Sequence, residues 1–222
     1  IVVCMDKKQE AFTRQLEQLF QKSYHGVGLV HNNNANINGQ LISNTDLAYD
    51  ACNGLLHLKE LDCLIYCIQN SSDIMYEGLP FDRYDHLFYF SMEHNFINAY
   101  MNQGTYINHM DTLLKACTGN VLISESGLKN IESTSLECSN ELTLLMGDMT
   151  GNEINNSAVD NVCYLDSHNQ VIKKQFKNHN PTNQTIDNSF SNADLSSVEK
   201  IALSLTEQVL MEKLGSRALI NP

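Results

Sequence analysis

Glu93 and His94 are the adjacent residues of this sequence best suited to acid and base chemistry. They follow the apolar run from Leu87 to Phe90, which predicts a buried strand, and a helical pattern begins at Asn95. A carboxylate beside an imidazole can transfer protons, so hydrolysis by this pair is one candidate function. The plainer interpretation is a helix start, where the helix dipole favours Glu93 and His94 is simply polar.

The elements around this corner predict a βαβ unit. The run from Val121 to Ile123 predicts a second buried strand, which the chain enters through Gly119 and Asn120. Two strands joined through a helix should be parallel. Ligands and nucleophiles gather at the carboxyl ends of such strands, and the corner between Phe90 and Asn95 occupies such an end. That corner contains no cysteine.

Strand and helix patterns alternate along most of the chain. Amphipathic spacing predicts helices over residues 6–22, 47–58 and 195–214, the last with Gly215 as its C-cap. Apolar runs predict strands over residues 1–5, 26–30 and 61–68, and residues 162–174 predict a hairpin. The asparagine-rich residues 31–39 predict a surface loop. The order predicts a layered α/β fold, with helices on both faces of a mixed or parallel sheet.

We expect one α/β domain over residues 1–176, a mobile loop over 177–194 and a C-terminal helix over 195–222 that packs on the domain. Hydrophobic residues make up 42% of the chain, enough for a full core. No apolar run reaches the roughly 18 residues that a membrane span needs.

Charge and cysteine usage narrow the function classes. The net charge is −12 with only 14 Lys and Arg residues, which argues against nucleic acid and anionic membranes as partners. The 7 cysteines include Cys4, Cys63 and Cys67 in predicted strands, and Cys52 and Cys117 in predicted helices. Free buried thiols are typical of a reducing cytoplasm.

No cofactor or metal is expected. The histidines are scattered, and no Cys-x-x-Cys pair supplies zinc ligands. Gly147, Asp148 and Gly151 could cradle a phosphate, but an ordinary turn is the favoured interpretation because a lone glycine cluster is weak evidence.

Three segments, taken in order, resemble the amino-terminal half of the thiolase-fold condensing enzymes of the β-ketoacyl synthase III type. The first joins a helix-like segment, residues 45–56, to the strand and polar loop of residues 61–73. The second is Gly119-Asn-Val-Leu-Ile-Ser-Glu-Ser126, and the third is the turn over residues 145–154. The resemblance covers roughly residues 41 to 165 and implies a thiolase-like half.

In that family a nucleophilic cysteine follows the central strand, and here Glu93 or His94 stands at its position. An acyl group must be held as a thioester before the condensing step, so the resemblance implies a scaffold without the chemistry. It implies a non-catalytic subunit, similar to a chain-length factor, that forms a heterodimer with an active ketoacyl synthase in polyketide or fatty-acid-type biosynthesis and meets acyl carrier protein indirectly. The implied interface and pocket residues are Phe90, Ser91, Met92, Phe96, Tyr100, Met101 and Tyr106.

A regulatory binding module with a degenerate, receiver-like flavodoxin fold is the other alternative. Residues 1–30 would form its first βαβ unit, and the third strand ends in Cys67-Ile-Gln69 without the aspartate that a working receiver needs. The order of strands in the sheet separates this alternative from the first.

Overall fold

The computed structural model describes residues 1–6, 10–68, 78–91, 111–128, 141–147, 159–176 and 182–220. Within these ranges eleven strands form a single sheet. In chain order they are β1 (Val2–Asp6), β2 (Val27–His31), β3 (Asn34–Ile37), β4 (Gln40–Asn44), β5 (Cys63–Ile68), β6 (Tyr84–Ser91), β7 (Cys117–Ser124), β8 (Leu142–Met146), β9 (Asn161–Leu165), β10 (Val171–Gln175) and β11 (Thr182–Ile186). The helices are α1 (Glu10–Gln21), α2 (Ala48–Leu56), α3 (Glu125–Leu128) and α4 (Ser197–Ile220), and residues 111–116 are also helical.

The sheet order is β11-β10-β9-β8-β7-β6-β1-β5-β2-β3-β4. The run from β9 to β2 is parallel throughout, and an antiparallel hairpin extends the sheet at each end. The expected α/β class is therefore confirmed, as is the parallel pairing of β6 with β7.

Helices cover both faces of the parallel strands because successive side chains point to opposite faces. On one face Val2 and Cys4 of β1 pack in the cluster that contains α1 and α4. On the other, Val3 and Met5 pack in the cluster that contains α2 and the helical residues 111–116. The core thus consists of two layers, one on each side of the sheet.

The predicted loop over residues 31–39 is wrong, because the segment forms most of a β-meander. Asn32 and Asn33 turn β2 into β3, and Asn38 and Gly39 turn β3 into β4. All four residues have positive φ, between 49° and 79°. Asparagine and glycine tolerate this conformation best, and two-residue turns of this kind suit the twist of a hairpin.

Three further expectations need correction. Thr182–Ile186, inside the predicted loop over 177–194, form the edge strand β11. Cys117 begins β7 and does not belong to a helix. Gly215 does not cap the last helix, which continues to Ile220. A glycine inside a helix costs only about 1 kcal/mol, so it is a weak stop signal.

The start of α4 agrees with the serine-rich helix start in the sequence. The carboxylate Oε2 of Glu199 accepts hydrogen bonds from Ser196 N and Oγ, both at 2.6 Å, and Glu199 N donates to Ser196 Oγ at 3.3 Å. This is a capping box, and it satisfies donors that the first helical turn leaves without partners. None of the helices in the described ranges has the length and apolar character that a bilayer crossing requires.

Candidate functional site

The connections that leave β1 and β6 diverge at the carboxyl edge of the sheet. After β1 the chain passes to β2 on one side, and after β6 it passes to β7 on the other side. The two strands are parallel neighbours, with Asp6 paired to Ser91 at their ends. Adjacent strands whose connections diverge leave a crevice where ligands of open α/β sheets bind. The candidate site lies here.

Of the residues that the sequence analysis selected, Phe90 and Ser91 lie at the carboxyl end of β6, beside this crevice. The Phe90 side chain is buried. The corner with Met92, Glu93 and His94 follows directly in the sequence but lies outside the described residues. So do the remaining selected interface residues, namely Phe96, Tyr100, Met101 and Tyr106. Their roles stay predictions.

A pair of serines fixes the end of β6. Ser124 Oγ, at the end of β7, and Ser126 Oγ, in α3, both donate to the carbonyl oxygen of Phe90, the second at 2.8 Å. The two hydroxyls also contact each other at 2.8 Å, and Gly127 N donates to Ser124 Oγ at 3.0 Å. This serine clamp, Ser124 and Ser126, positions the chain immediately before the corner that carries Glu93 and His94.

The residue after the clamp must be small. A Cβ atom on Gly127 would lie 2.9 Å from the Tyr89 carbonyl oxygen and 3.0 Å from Ile123 Cγ1. The turn after β7 therefore packs closely against β6. In the sequence, Ser124 and Ser126 stand out only as part of the segment from Gly119 to Ser126. The signal for their role was Ser-x-Ser-Gly directly after a predicted strand.

Aromatic packing holds α1 against the middle and the carboxyl end of β6. The Phe12 ring, on α1, lies edge-on to Phe88 at 5.4 Å and to Phe90 at 4.9 Å between centroids. All three side chains are at most 5% exposed. Edge-to-face pairs add about 0.5–1.5 kcal/mol each beyond burial, so β6 and α1 form a rigid frame for the crevice.

The amino end of α1 carries a negative charge where it approaches this edge. Glu10 is its first residue, and its carboxylate Oε1 accepts a hydrogen bond from Arg14 Nη2 at 2.5 Å. A carboxylate in the first turn interacts favourably with the positive end of the helix dipole. The same charge repels an anion that approaches this helix end.

Three of the described cysteines are unsuited to nucleophilic thiolate chemistry. Burial raises the pKa of Cys52 and of Cys163 to about 12, and that of Cys63 to about 11. A thiol with such a pKa stays protonated at neutral pH, and the thiolate is the reactive form. Six cysteines in the described ranges are buried and form no disulfide, as the sequence predicted for Cys4, Cys52, Cys63, Cys67 and Cys117. The same ranges contain no group of three or more residues arranged to hold a metal ion.

No family model and no curated protein sequence matches this chain. Among solved structures, it is similar to UDP-N-acetylmuramoyl-L-alanyl-D-glutamate--2,6-diaminopimelate ligase, with a TM-score of 0.54 and 10% sequence identity. The match covers 96% of this chain and 43% of the ligase, so the chain spans less than half of that protein's length. At this identity the likeness concerns the fold.

The resemblance to ketoacyl synthases is therefore wrong, because the matched structure is a ligase and not a thiolase-fold enzyme. The misleading segments are short. An apolar strand followed by a polar loop, or a glycine turn after a strand, occurs in any parallel α/β sheet and does not distinguish one family from another. What the comparison shows for this chain is an α/β fold shared with part of a Mur-type ligase.

Proposed function

We propose that this chain is a non-catalytic α/β binding module that uses a ligase-type fold and acts together with an active partner protein. We no longer expect the partner to be a ketoacyl synthase, because the sequence resemblance that suggested it is wrong. Two features of the carboxyl edge support the proposal: the connection between β1 and α1 is short and has no glycine, and α1 begins with a carboxylate.

The observation that carries the proposal is the connection between β1 and α1. Asp6 ends the strand and Glu10 begins the helix, so three residues, Lys7, Lys8 and Gln9, join them. A phosphate-binding loop of the Gly-x-x-x-x-Gly-Lys-Ser/Thr type needs about eight residues, and a dinucleotide fingerprint also needs glycines at this place. This connection has neither the length nor a glycine.

The charge at the helix start supports the same proposal. A nucleotide phosphate would bind where N–H groups of the first turn of α1 point, and Glu10 places a carboxylate in that turn. Arg14 is already paired with that carboxylate. Glu10 therefore opposes a polyanion at this helix end, whereas Lys7 and Lys8, just before it in the sequence, would attract one, and the variants below test which of the two prevails.

The order of the parallel strands argues against the receiver-like alternative. Numbered along the chain, the parallel strands have the order 2-3-1-4-5-6-7, with the first strand between the third and the fourth. A flavodoxin-like sheet has the order 2-1-3-4-5, in which the first and second strands are neighbours. Here α2 and the β3–β4 hairpin return the chain to β5, which separates β1 from β2.

Cellular setting and partner chemistry form part of the proposal. The buried free thiols support a reducing, cytoplasmic setting. The net charge of −12 supports a protein partner with a neutral or basic surface, and does not support nucleic acid or an anionic membrane. The competing function is hydrolysis by Glu93 and His94, which follow Ser91 closely in the sequence.

Thermal unfolding with nucleotides tests the proposal. A ligand at a hundred times its dissociation constant stabilises by about 2.7 kcal/mol, which raises the Tm of a chain of this size by about 5–10 °C. We expect no such rise with magnesium-ATP or ADP. A rise that disappears in the double variant Lys7→Ala/Lys8→Ala but persists in Lys59→Ala would show phosphate recognition and overturn the proposal.

Co-expression tests the partner. Proteins encoded beside this chain are co-expressed with it and the mixture is separated by size-exclusion chromatography. A stable complex whose activity needs the partner's own catalytic residues supports the proposal. Turnover of any ester or amide by this chain alone, lost in His94→Ala, would instead establish a hydrolase.

A further inference from the structure

A cavity of about 560 Å³ lies at the amino edge of the sheet, opposite the candidate site. Its floor runs from the starts of β1, β5 and β8 to the middle of β6 and β7, and residues of α4 from Leu205 to Lys213 form one wall. Small-molecule sites of proteins have volumes of about 300–1,000 Å³. This cavity has the size of a site for a small organic molecule.

The floor is apolar. Val2, Phe88 and Leu122 line it from the sheet, and Leu210 lines it from α4. Each of these side chains is at most 7% exposed, so they are fixed by packing on the core. An apolar floor of this kind favours a ligand with a hydrocarbon or aromatic body.

A fixed ion pair stands at one side of the cavity. Lys173 Nζ, on β10, lies 3.5 Å from Glu141 Oε1, and both side chains line the cavity. They are 26% and 31% exposed, so each is partly withdrawn from water. Asn161, which is fully buried, donates from Nδ2 to the same Glu141 oxygen at 2.5 Å. Two donors thus hold this carboxylate in place.

The ammonium of Lys173 is suited to receive a second carboxylate. An ammonium group carries three donors. Lys173 Nζ donates to Glu141 Oε1, and within the described part of the chain it makes no other hydrogen bond. Partly desolvated, charge-assisted hydrogen bonds are among the stronger polar contacts, which makes this group an anchor for an anionic head.

The rest of the lining favours a positive group. Besides Lys173, Lys213 and the Ile1 amino group, which lies 2.5 Å from Asp85 Oδ2, the cavity presents the carboxylates of Asp62, Asp85, Glu141 and Glu212. A ligand with only negative charge would be repelled by this excess, and one with only positive charge would face Lys173. A ligand that carries one charge of each sign satisfies both.

We propose that this cavity binds a zwitterionic α-amino acid with an apolar side chain, free or at the end of a short peptide. Its carboxylate contacts Lys173, its ammonium contacts Glu141, and its side chain lies on the floor of Phe88 and Leu122. Phosphorylated ligands are disfavoured by the small excess of carboxylates in the lining. The site is separate from the carboxyl-edge crevice, so it stands or falls independently of the proposed function.

Isothermal titration with L-leucine and L-phenylalanine, up to about 10 mM, tests this site. The analogues 3-methylbutylamine and 4-methylpentanoate each retain one charge and the apolar body. We expect both amino acids to bind, and each analogue to bind at least about tenfold more weakly than leucine. Absence of amino-acid binding, or equal binding of either analogue, would overturn the proposal.

Three variants separate the site from the fold. Lys173→Met should weaken leucine binding about tenfold or more, whereas Lys173→Arg keeps the positive charge and should retain it. Arg14→Gln removes an exposed ion pair on α1, a residue that does not line the cavity, and should leave the affinity unchanged. Circular dichroism checks that each variant is folded. Equal affinities for Lys173→Met and Lys173→Arg would show that the ammonium does not hold the ligand.

Discussion

Ser124 and Ser126 contribute differently to stability, although both hydroxyls donate to the same carbonyl oxygen. Both donate to the carbonyl of Phe90, but Ser124 also accepts the N–H of Gly127 and is only 5% exposed. A buried donor that loses its acceptor costs about 1–3 kcal/mol, whereas a carbonyl that keeps one of two donors loses little. The end of β6 therefore depends mainly on Ser124.

Ser124→Ala should lower the free energy of unfolding by about 1–3 kcal/mol because it leaves the Gly127 N–H without its acceptor. Ser126→Ala is the matched control and should cost less than about 1 kcal/mol, since Ser124 still donates to Phe90. Urea unfolding monitored by circular dichroism measures both. Equal losses would show that the two hydroxyls contribute alike.

At the scale of elements, one carboxylate joins α1 to the β3–β4 turn. Glu17 Oε1 accepts a hydrogen bond from Gly39 N at 2.9 Å, and the side chain is 7% exposed. Burial raises the pKa of Glu17 above its usual range, and the hydrogen bond from Gly39 lowers it by a smaller amount. This hydrogen bond thus attaches the hairpin to α1, but it keeps the Glu17 carboxylate where water solvates it poorly.

Glu17→Gln should stabilise the protein at neutral pH, because the amide oxygen still accepts from Gly39 without a buried charge. A carboxyl whose folded-state pKa is raised favours the folded state when protonated, and that contribution is lost as pH rises from about 4.5 through the raised pKa. The advantage of the variant should therefore disappear at pH 3. Urea unfolding across pH 3–8 measures it.

Glu10→Gln supplies the control, since it makes the same chemical change at an exposed position of the same helix. It should lower the stability at neutral pH by no more than about 1 kcal/mol, through the lost dipole and Arg14 interactions, and should not stabilise the protein at any pH. An advantage of Glu17→Gln that persists unchanged to pH 3 would contradict the assigned cause.

At the scale of the whole molecule, the sheet has a protected centre and unprotected ends. β1 lies between β5 and β6, and Val3 and Met5 are fully buried. β4 is an end strand, and its side chains Leu41 and Ile42 are 60% and 52% exposed. Local opening follows burial and pairing, so stability should fall from the centre of the sheet to its ends.

Hydrogen exchange followed by mass spectrometry should show this gradient. Peptides from β1 and β5 should exchange slowest, by opening close to global unfolding, and peptides from β4 and β11 fastest. Edge strands present unpaired backbone groups to water, which accounts for the difference. Protection of β4 equal to that of β1 would show that another surface covers this edge.

Much of the fold was accessible from local pattern. Leu61 to Ile68 contains β5, because a strand buried on both faces reads as a continuous apolar run. The spacing of Phe12, Leu16, Leu19 and Phe20 predicts α1, because these side chains recur on one helical face. β11 was missed because it is a polar edge strand in which Ile186 alone is buried, so no alternating pattern marks it.

The candidate site was harder to predict from the sequence than the fold. Phe90 and Ser91 were placed correctly at a carboxyl end, since a strand followed by a helical pattern is a local signal. The partner strand β1 is some eighty residues away, and no local pattern shows that Asp6 lies beside Ser91. The cavity at the opposite edge combines Glu141, Lys173 and Leu210 from three distant parts of the chain, and their proximity depends on packing.

The sequence by itself determined the α/β class, the parallel βαβ unit at β6 and β7, the hairpin of β9 and β10, and the buried thiols. These follow from side-chain periodicity and polarity, which are local properties. Only the tertiary structure decided the strand order, the proximity of the ends of β1 and β6, and the similarity of the fold to part of a ligase. Strand order depends on contacts between residues far apart in the chain, and short motifs common to all parallel sheets do not encode it.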